Sequence, residues 1–276
     1  MIDAKHFGLP QQRRRLYVLA GGKDFRPDQL LFEFTNKDVV QRYKSVNSKN
    51  SKNVLTLFGN TDEEESEEKV VFKGLDKFEF FRKYTDCLYS AYGTKWNGNA
   101  AAYNGSLYVS QNDQIRRFTP LECERLMGFP DNYTLVDGNS DTNRYKAIGN
   151  SWAVPVVKWI GKQIYNYLSD GQTNIVEWMK SVREQENNLN VELFLLGGAH
   201  RIGTNKFLNT SSIPNNPIDG NLADIVQTDE IPRKFYLSSQ ACKGILRRKS
   251  ERGINMNSEL QSLMTNLSKE VEYQSV

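Results

Sequence analysis

The chain contains 276 residues, of which 38% are hydrophobic and 25% are charged. This composition suits one large domain or two ordinary ones and excludes a wholly disordered or collagen-like chain. The net charge of +3 permits a polyanionic partner without requiring one. Three cysteines without CxxC spacing and two histidines favour neither a disulfide framework nor a metal site. Because no run approaches the ~20 apolar residues of a membrane span and residues 1–15 do not resemble a signal peptide, a soluble cytoplasmic protein is expected.

The first element in chain order is a short apolar run at residues 16–20, between an arginine triplet and two glycines. It predicts a buried strand that is closed by a turn. Polar residues 45–53 and acidic residues 62–68 are typical of solvated loops, because neither segment can bury much apolar surface. Residues 54–58 predict a strand between these loops, and residues 106–110 predict another after a segment rich in Gly, Asn and Tyr.

A short, sharply bounded helix is predicted after Thr119. Thr119 and Glu122 form the pattern of a capping box, with a proline at the first helical position. The helix is expected to end near Met127, where Gly128 permits a left-handed turn. A second helix is predicted from about Pro155, because apolar side chains recur at helical spacing on a face that we expect to be buried. That face comprises Val157, Ile160, Ile164 and Leu168.

The sequence changes character beyond residue 170. Residues 191–196 predict a strand, and a last helix is predicted from Ser238 or Ser239 through Arg252, with Gly253 as its end. Basic residues in and before this helix greatly outnumber its single glutamate. They are Arg233, Lys234, Lys243, Arg247, Arg248, Lys249 and Arg252. Such a basic segment either contacts phosphates or presents a solvated basic face, and the sequence leaves both interpretations open.

Three sequence blocks occur together: PQQRRRLY at residues 10–17, RRFTPLECERLMGFPDNY at residues 116–133 and AIGNSWAVPVVKWIG at residues 147–161. In these blocks the chain resembles the DNA cytosine-5 methyltransferase family of phages and restriction-modification systems. The first block is similar to that family's Gln-x-Arg-x-Arg motif. The second resembles its Arg-x-Leu-Thr-x-x-Glu-x-x-Arg-Leu-x-Gly-Phe-Pro segment, and the third its Gly-Asn-Ser-x-x-x-Pro motif. The blocks also occur in the family's order.

The resemblance implies an α/β fold: the C-terminal part of a Rossmann-like, S-adenosylmethionine-dependent methyltransferase domain, with a small, irregular, β-containing target-recognition domain. Residues 1–21 are then the end of the catalytic-domain sheet, and residues 22–115 are the target-recognition region. Residues 116–170 form the return helix and the cofactor-side helix, and residues 171–276 form a basic C-terminal extension. S-adenosyl-L-methionine is the implied cofactor, and double-stranded DNA is the implied partner.

Gln11, Arg13 and Arg15 are the implied catalytic residues. Arginines at alternate positions point the same way from a strand, and a guanidinium is a rigid fork that can hold a base oxygen or a phosphate. In the family, arginines of this motif border the pocket that receives the cytosine after it is extruded from the duplex. The alternative is an ordinary surface cluster of arginines.

Asn150 and Ser151 are the implied cofactor-binding residues. They precede the helix predicted from Pro155, and the N-terminal end of a helix offers free N–H groups and a partial positive charge to an anionic group. A simple Asn or Ser helix cap explains the same tripeptide equally well.

Arg117, Arg247 and Arg248 are the expected DNA contacts. Arg117 belongs to the second block, and the other two belong to the basic helix near the end of the chain. Each is expected to meet backbone phosphate rather than base edges. Glu122 and Arg125 of the second block are expected to be structural instead.

The family's nucleophile is not apparent in this sequence. The reaction needs a cysteine thiolate to attack C6 of cytosine, and the family carries that cysteine in a Pro-Cys-Gln motif and holds the cofactor with a glycine-rich loop. No Pro-Cys pair occurs here, and Cys87, Cys123 and Cys242 are each interpreted as a buried or helical free thiol. A complementary chain or a missing N-terminal part is expected to supply both motifs, so that this chain alone is inactive. The alternatives are a DNA-binding module without catalysis and the relic of an interrupted gene.

Overall fold

The computed structural model describes residues 1–22, 33–35, 70–73, 77–93, 103–169, 199–202, 206–209 and 213–269. The strands are β1 (Ile2–Asp3), β2 (Arg14–Arg15), β3 (Glu33–Thr35), β4 (Val70–Lys73), β5 (Lys77–Phe80), β6 (Tyr108–Gln111), β7 (Gln114–Arg117), β8 (Ala199–Ile202) and β9 (Lys206–Asn209). The α-helices are α1 (Pro120–Leu126), α2 (Asp141–Asn150), α3 (Val154–Ser169), α4 (Ser239–Arg252) and α5 (Ser258–Lys269). The predictions for residues 45–53, 54–58, 62–68 and 191–196 lie outside the described residues.

The strands form three small sheets in a mixed α/β structure. β1 pairs with β2, β9 lies between β3 and β8, and the largest sheet has the order β4–β5–β6–β7. Asn112 and Asp113, both with positive φ, make the tight turn between β6 and β7. The strand predicted at residues 106–110 is confirmed with slightly shifted bounds, whereas the expected domain boundary at residue 115 falls inside β7. All named strands of the described ranges pair antiparallel, so the Rossmann-like arrangement stays a prediction.

Helix α1 forms as its sequence predicts. The Thr119 hydroxyl accepts from the backbone N–H of Glu122 at 3.2 Å, and the Glu122 carboxylate accepts from the N–H of Thr119 at 2.8 Å. This reciprocal pair is the predicted capping box. Gly128 follows the helix with φ +78°, and a Cβ there would lie 2.6 Å from Cδ of Pro155. Glycine is thus required both by the turn and by the contact with α3.

The buried strand predicted at residues 16–20 is wrong. No strand forms there, and Leu16 and Val18 are 76% and 79% exposed. Tyr17 and Leu19, which alternate with them, pack against a cluster that contains buried residues of α3. The run therefore has one covered face and one open face. A strand that is apolar on both faces normally lies between two layers, and the described residues supply a layer on one side only.

The helix predicted from Pro155 is confirmed as α3, which begins at Val154. Its buried residues are Val156 and Ile160, but Leu168 is 73% exposed, so the expected apolar face is only partly buried. Helix α2, directly before it, was not predicted. The Ser140 hydroxyl caps α2, whose apolar periodicity is weak.

Two core clusters lie on opposite faces of the four-stranded sheet, since the neighbouring residues Tyr108 and Val109 belong to different clusters. The first joins the sheet to α1, α2 and residues 222–226. The second joins the sheet to α4 and α5. The predicted last helix is confirmed as α4, with Ser238 as N-cap and Gly253 in the left-handed conformation. Residues 213–269 therefore contribute to both core clusters.

Candidate functional site

Arg13 connects the first and third sequence blocks. Its Nη1 donates to the carbonyl of Leu88 at 3.0 Å, and its Nη2 donates to the carbonyls of Gly149 and Ser151 at 3.3 and 2.7 Å. The residue is 5% exposed, and burial lowers the pKa of its guanidinium from the ordinary value. Because α2 ends at these carbonyls, the cation lies where the helix places its partial negative charge.

Arg15 and Arg13 converge on the sulfur of Cys87. Nη2 of Arg15 lies 2.9 Å from Sγ of Cys87, and Nη1 of Arg13 lies 3.1 Å from it. The two arginines thus reach the same place, but their surroundings differ. Arg13 is buried and held by carbonyls, whereas Arg15 is exposed and presents its guanidinium to solvent.

Gln11 is fully buried and holds backbone groups with its amide. Its Nε2 donates to the carbonyl of Leu126 at 3.1 Å, and its Oε1 accepts from the N–H of Leu88 at 3.1 Å. The side chain therefore ties the first block to α1 and to the segment that carries Cys87. Gln11 can therefore fix the backbone around Arg13 and Arg15, but its own side chain does not face solvent.

Asn150 and Ser151 lie at the C-terminal end of α2. The predicted position at a helix N-terminus is therefore wrong, because α2 ends at Asn150 and α3 begins only at Val154. The position of these residues at the end of a helix was not predicted, because α2 itself was not predicted. Gly149 allows the close approach of the segment that carries Cys87, since a Cβ at Gly149 would lie 2.5 Å from the backbone nitrogen of Ser90.

Asn150 and Ser151 still offer polar groups at the surface. The Asn150 side chain is exposed, and the half-buried Ser151 hydroxyl donates to the carbonyl of Ile148 while its lone pairs can accept. An amide and a hydroxyl at adjacent positions suit the polar groups of a small cofactor. A cavity of about 490 Å³ lies beside α3, lined in part by Trp159 and Lys162, but neither expected cofactor residue lines it.

Arg116, which the sequence argument did not single out, is the buried arginine of the second block. It forms a two-pronged ion pair with Glu122 at 2.8 Å for both contacts, and both side chains are fully buried. The neighbouring Arg117 is half-buried, and its Nη1 lies 3.4 Å from the carbonyl of Tyr92. Alternation along β7 places one arginine inside and the other towards the surface.

Arg125 holds the turn after α1. Its guanidinium pairs with the Asp131 carboxylate at 2.6 and 2.8 Å and donates to the carbonyls of Ile225 and Val226. The hydrogen bond from Arg125 lowers the pKa of Asp131. These contacts give Glu122 and Arg125 the structural surroundings that the sequence predicts.

Arg247 and Arg248 lie on α4 in different surroundings. The Arg247 side chain is exposed, and its Nε lies 3.6 Å from the carboxylate of Glu251 one helical turn away. Arg248 is half-buried, and its Nε has no hydrogen-bond partner among the described residues. Of the two, only Arg247 therefore has an exposed side chain.

The three cysteines fall into two classes. Cys123 on α1 and Cys242 on α4 are fully buried, as predicted. The interpretation of Cys87 as buried or helical is wrong, because it is half-buried and lies in an irregular segment beside two arginines. The contact spans more than 70 residues of sequence, so no local pattern could reveal it.

Two kinds of feature are absent from the described ranges. None of the helices there is both long enough and apolar enough to cross a bilayer. Within the same ranges, no three His, Cys, Asp or Glu side chains come together in a way that could hold a metal ion.

Several known methyltransferases are similar to this chain. The DNA N-6-adenine-methyltransferase of Escherichia phage P1 is 26% identical, with 59% of this chain and 35% of that protein covered. The Type II methyltransferase M.MspI of Moraxella sp is 29% identical, with 71% of this chain and 42% of the relative covered. The Type II methyltransferase M.SsoII of Shigella sonnei is 30% identical, with 61% of this chain and 44% of the relative covered. The chain thus spans between a third and a half of the length of these relatives. No solved structure matches.

The family comparison covers all three sequence blocks. The sequence model of the C-5 cytosine-specific DNA methylase family matches residues 1–166, which is more than half of the chain. The match contains Arg13 and the carbonyls that it binds, and it ends near the C-terminus of α3. The chain therefore belongs to the C-5 cytosine-specific DNA methylase family.

Proposed function

We propose that this chain is the C-terminal part of a DNA cytosine-5 methyltransferase, in which it supplies DNA recognition and part of the pockets for cytosine and S-adenosyl-L-methionine. The observation that carries the proposal is the contact of Arg13 with the carbonyls of Gly149 and Ser151. This contact joins the first and third motif blocks, since Arg13 is 136 residues from Gly149 and 138 residues from Ser151 in sequence. The family match over residues 1–166 supports the same assignment.

The cytosine pocket is proposed to form around Arg15. Its guanidinium is exposed and held near Cys87, so it can hold a base oxygen or an adjacent phosphate once the cytosine has left the duplex. Arg13 borders the same place, but its hydrogen bonds to three carbonyls give it mainly a positioning role. Gln11 supports both by fixing the backbone at Leu88.

Asn150 and Ser151 are proposed to contact the cofactor. Enzymes of this family use S-adenosyl-L-methionine, which when bound supplies the methyl group that is transferred. The exposed amide and the adjacent hydroxyl fit the polar groups of such a molecule. Arg13 keeps the end of α2 in place by holding the neighbouring carbonyls, so the same residue supports both proposed pockets.

DNA phosphates are proposed to meet Arg117, Arg247 and Arg248. Arg247 is the best placed of these, because its side chain is exposed and its ion pair with Glu251 is long. Charge neutralisation of this kind makes DNA affinity fall as salt concentration rises.

A complementary chain or part is proposed to carry the Pro-Cys-Gln nucleophile and the glycine-rich cofactor loop. The exposed apolar side chains of Leu16 and Val18 support this proposal, because apolar surface on a run whose other face is already packed is suited to a further protein contact. Trp152, also exposed, contacts Tyr17 edge-on and lies beside the same run.

Methyl transfer measured with and without a complementary part tests this function. The purified chain alone is expected to transfer no methyl groups from labelled S-adenosyl-L-methionine to duplex DNA, whereas its mixture with a polypeptide that carries the two missing motifs is expected to do so. Val18→Asp should weaken this rescue, whereas Leu135→Asp, at another exposed apolar site, should not. Turnover by the chain alone would contradict the proposal.

The competing candidate is a DNA-binding module without catalysis. The basic surface of α4 is compatible with it, because phosphate binding needs no active centre. Salt-dependent DNA binding together with no methyl transfer in any such mixture would favour this candidate.

A further inference from the structure

Cys87 lies in an electropositive site at the protein surface. Its Sγ receives hydrogen bonds from Nη1 of Arg13 at 3.1 Å and from Nη2 of Arg15 at 2.9 Å. Its thiol in turn lies 3.4 Å from the carbonyl of Leu88. The residue is half-buried, and Arg15 beside it is exposed, so a small molecule can approach the sulfur from the Arg15 side.

The Arg13 guanidinium beside Cys87 has one donor atom without a partner in the described part of the chain. Arg13 is 5% exposed, yet its Nε is buried without a hydrogen-bond partner. A buried donor of a charged group is normally paired, because leaving it unpaired costs about 1–3 kcal/mol or more. The guanidinium that contacts Cys87 thus retains unused donor capacity.

The other two thiols lack these features. Cys123 is fully buried, and burial together with the nearby carboxylates of Glu122 and Glu124 raises its pKa well above the usual value. Cys242 is fully buried in the cluster between α4, α5 and the sheet. The chain therefore contains one accessible thiol next to positive charge and two protected thiols that serve as internal controls.

We propose that Cys87 is a modification site that is S-thiolated by low-molecular-weight disulfides. The Cys87 thiol loses its proton to solvent, and the sulfur then attacks one sulfur of the disulfide. The original S–S bond breaks, a mixed disulfide forms at Cys87, and the second half of the reagent leaves as a thiolate that takes up a proton. Two guanidinium groups lie within hydrogen-bond distance of the attacking sulfur, and partly exposed, electropositive surroundings of this kind are typical of reactive cysteines.

The modification would also occupy the place where Arg13 and Arg15 meet. A glutathionyl group carries carboxylates that can pair with the exposed Arg15, so the adduct competes with any anionic ligand of that arginine. This consequence rests on the proposed function, in which Arg15 contacts DNA, whereas the thiolation itself does not. Reducing agent would restore the free arginine.

Intact-protein mass measurement after exposure to oxidised glutathione tests the thiolation. The wild-type chain is expected to gain one glutathionyl group, mapped to Cys87, and Cys87→Ser is expected to gain none in the same time. Arg15→Gln should slow the reaction by about tenfold, because it removes one charged hydrogen bond to the sulfur. Arg14→Gln is the matched control: it removes the same charge one residue away, where the side chain pairs with Asp3, and it should change the rate less than twofold.

Three results would overturn the thiolation: no adduct on the wild-type chain, an adduct on Cys123 or Cys242, or equal rates in Arg14→Gln and Arg15→Gln. The effect of thiolation on DNA binding is measured separately. Thiolated wild-type protein is expected to bind duplex DNA at least about fivefold more weakly than the reduced protein, since Arg15 is lost as a phosphate contact. Reagent-treated Cys87→Ser should bind as before. Unchanged binding by the thiolated protein would overturn this consequence while leaving the mapped adduct as a separate result.

Discussion

The Arg13 guanidinium illustrates how one side chain can hold distant parts of this chain together. It binds the carbonyl of Leu88 on one side and those of Gly149 and Ser151 on the other. A lysine could not replace it, because an ammonium lacks the planar fork that reaches several carbonyls at once. Burial lowers the pKa of this guanidinium, but arginine side chains keep their charge in proteins.

Arg13→Ala is expected to lower the free energy of unfolding by about 3 kcal/mol, because two buried carbonyls and one half-buried carbonyl lose a charged donor. Arg15→Ala should change it by less than about 0.5 kcal/mol, since that side chain is exposed. Urea unfolding of both variants measures the difference. Equal losses in the two variants would show that Arg13 does not hold the end of α2 in place.

Two arginine–carboxylate pairs near α1 permit a matched comparison of buried and exposed charge. Glu122→Gln leaves Arg116 buried without its counter-charge and is expected to cost about 3–5 kcal/mol. Asp131→Asn breaks the pair with Arg125. Because the Asp131 side chain is 49% exposed, this change is expected to cost less than about 1 kcal/mol. Thermal and urea unfolding of the two variants test this ranking, and a reversed order would contradict it.

Single helices and turns could be predicted from the sequence where neighbouring residues alone determine their ends. The capping box at Thr119 and the left-handed Gly128 need only neighbouring residues, so α1 and its end follow from the sequence. The apolar run at residues 16–20 correctly indicates a segment that has two apolar faces. It cannot indicate which part of the molecule covers each face, and the described residues cover only one.

Some residues of the candidate site could likewise be predicted from local motifs, whereas others depend on contacts between distant parts of the chain. The motif order pointed to Arg13 and Arg15, and the alternation of side chains explains why both reach one place. Cys87 could not be found, because its contacts with them cross 72 and 74 residues of sequence. The position of Asn150 was misjudged because α2 has few apolar residues at helical spacing, so the helix that ends there gave little signal.

Gly149→Ala tests the close contact between α2 and the segment that carries Cys87. A Cβ at Gly149 would lie 2.5 Å from backbone atoms of Tyr89 and Ser90, which cannot move like a flexible side chain. The variant is expected to lose at least about 2 kcal/mol of stability, as overpacked sites do. Gly161→Ala in α3 is the control, since nothing lies within 4 Å of its added Cβ, and it should gain about 0.5–1 kcal/mol. Equal stabilisation in both variants would contradict the contact.

At the scale of the whole molecule, the packed core includes residues beyond the segment that the family model matches. The match stops at residue 166, but Leu222, Ile225 and Val226 belong to the same core cluster as residues of α1 and α2. The second cluster consists largely of residues from α4 and α5 packed on the sheet. The segment that the sequence marks as a basic extension therefore also stabilises the sheet that carries Arg117.

Alkaline pH should destabilise the molecule through acidic groups that are buried in their protonated form. Burial raises the pKa of the Cys123 thiol and of the Tyr92, Tyr108 and Tyr145 hydroxyls above their ordinary values. Unfolding frees these groups to ionise at about pH 8.5 for cysteine and about pH 10 for tyrosine. Their contribution to stability is complete below those values and is lost as the pH rises above them, by up to about 1.4 kcal/mol per pH unit for each group.

Urea unfolding between pH 8 and pH 11 tests this expectation, and one hydroxyl can be isolated from the rest. Tyr108→Phe keeps the aromatic ring but removes one buried ionisable group, so stability should fall less steeply above pH 10 than in the wild type, by up to about 1.4 kcal/mol per pH unit. Tyr165→Phe removes a hydroxyl from an exposed site on α3 and is the matched control. Lysine deprotonation affects all three proteins equally, so it cancels in the comparison. Parallel curves for the wild type and Tyr108→Phe would show that the Tyr108 hydroxyl ionises without unfolding the sheet.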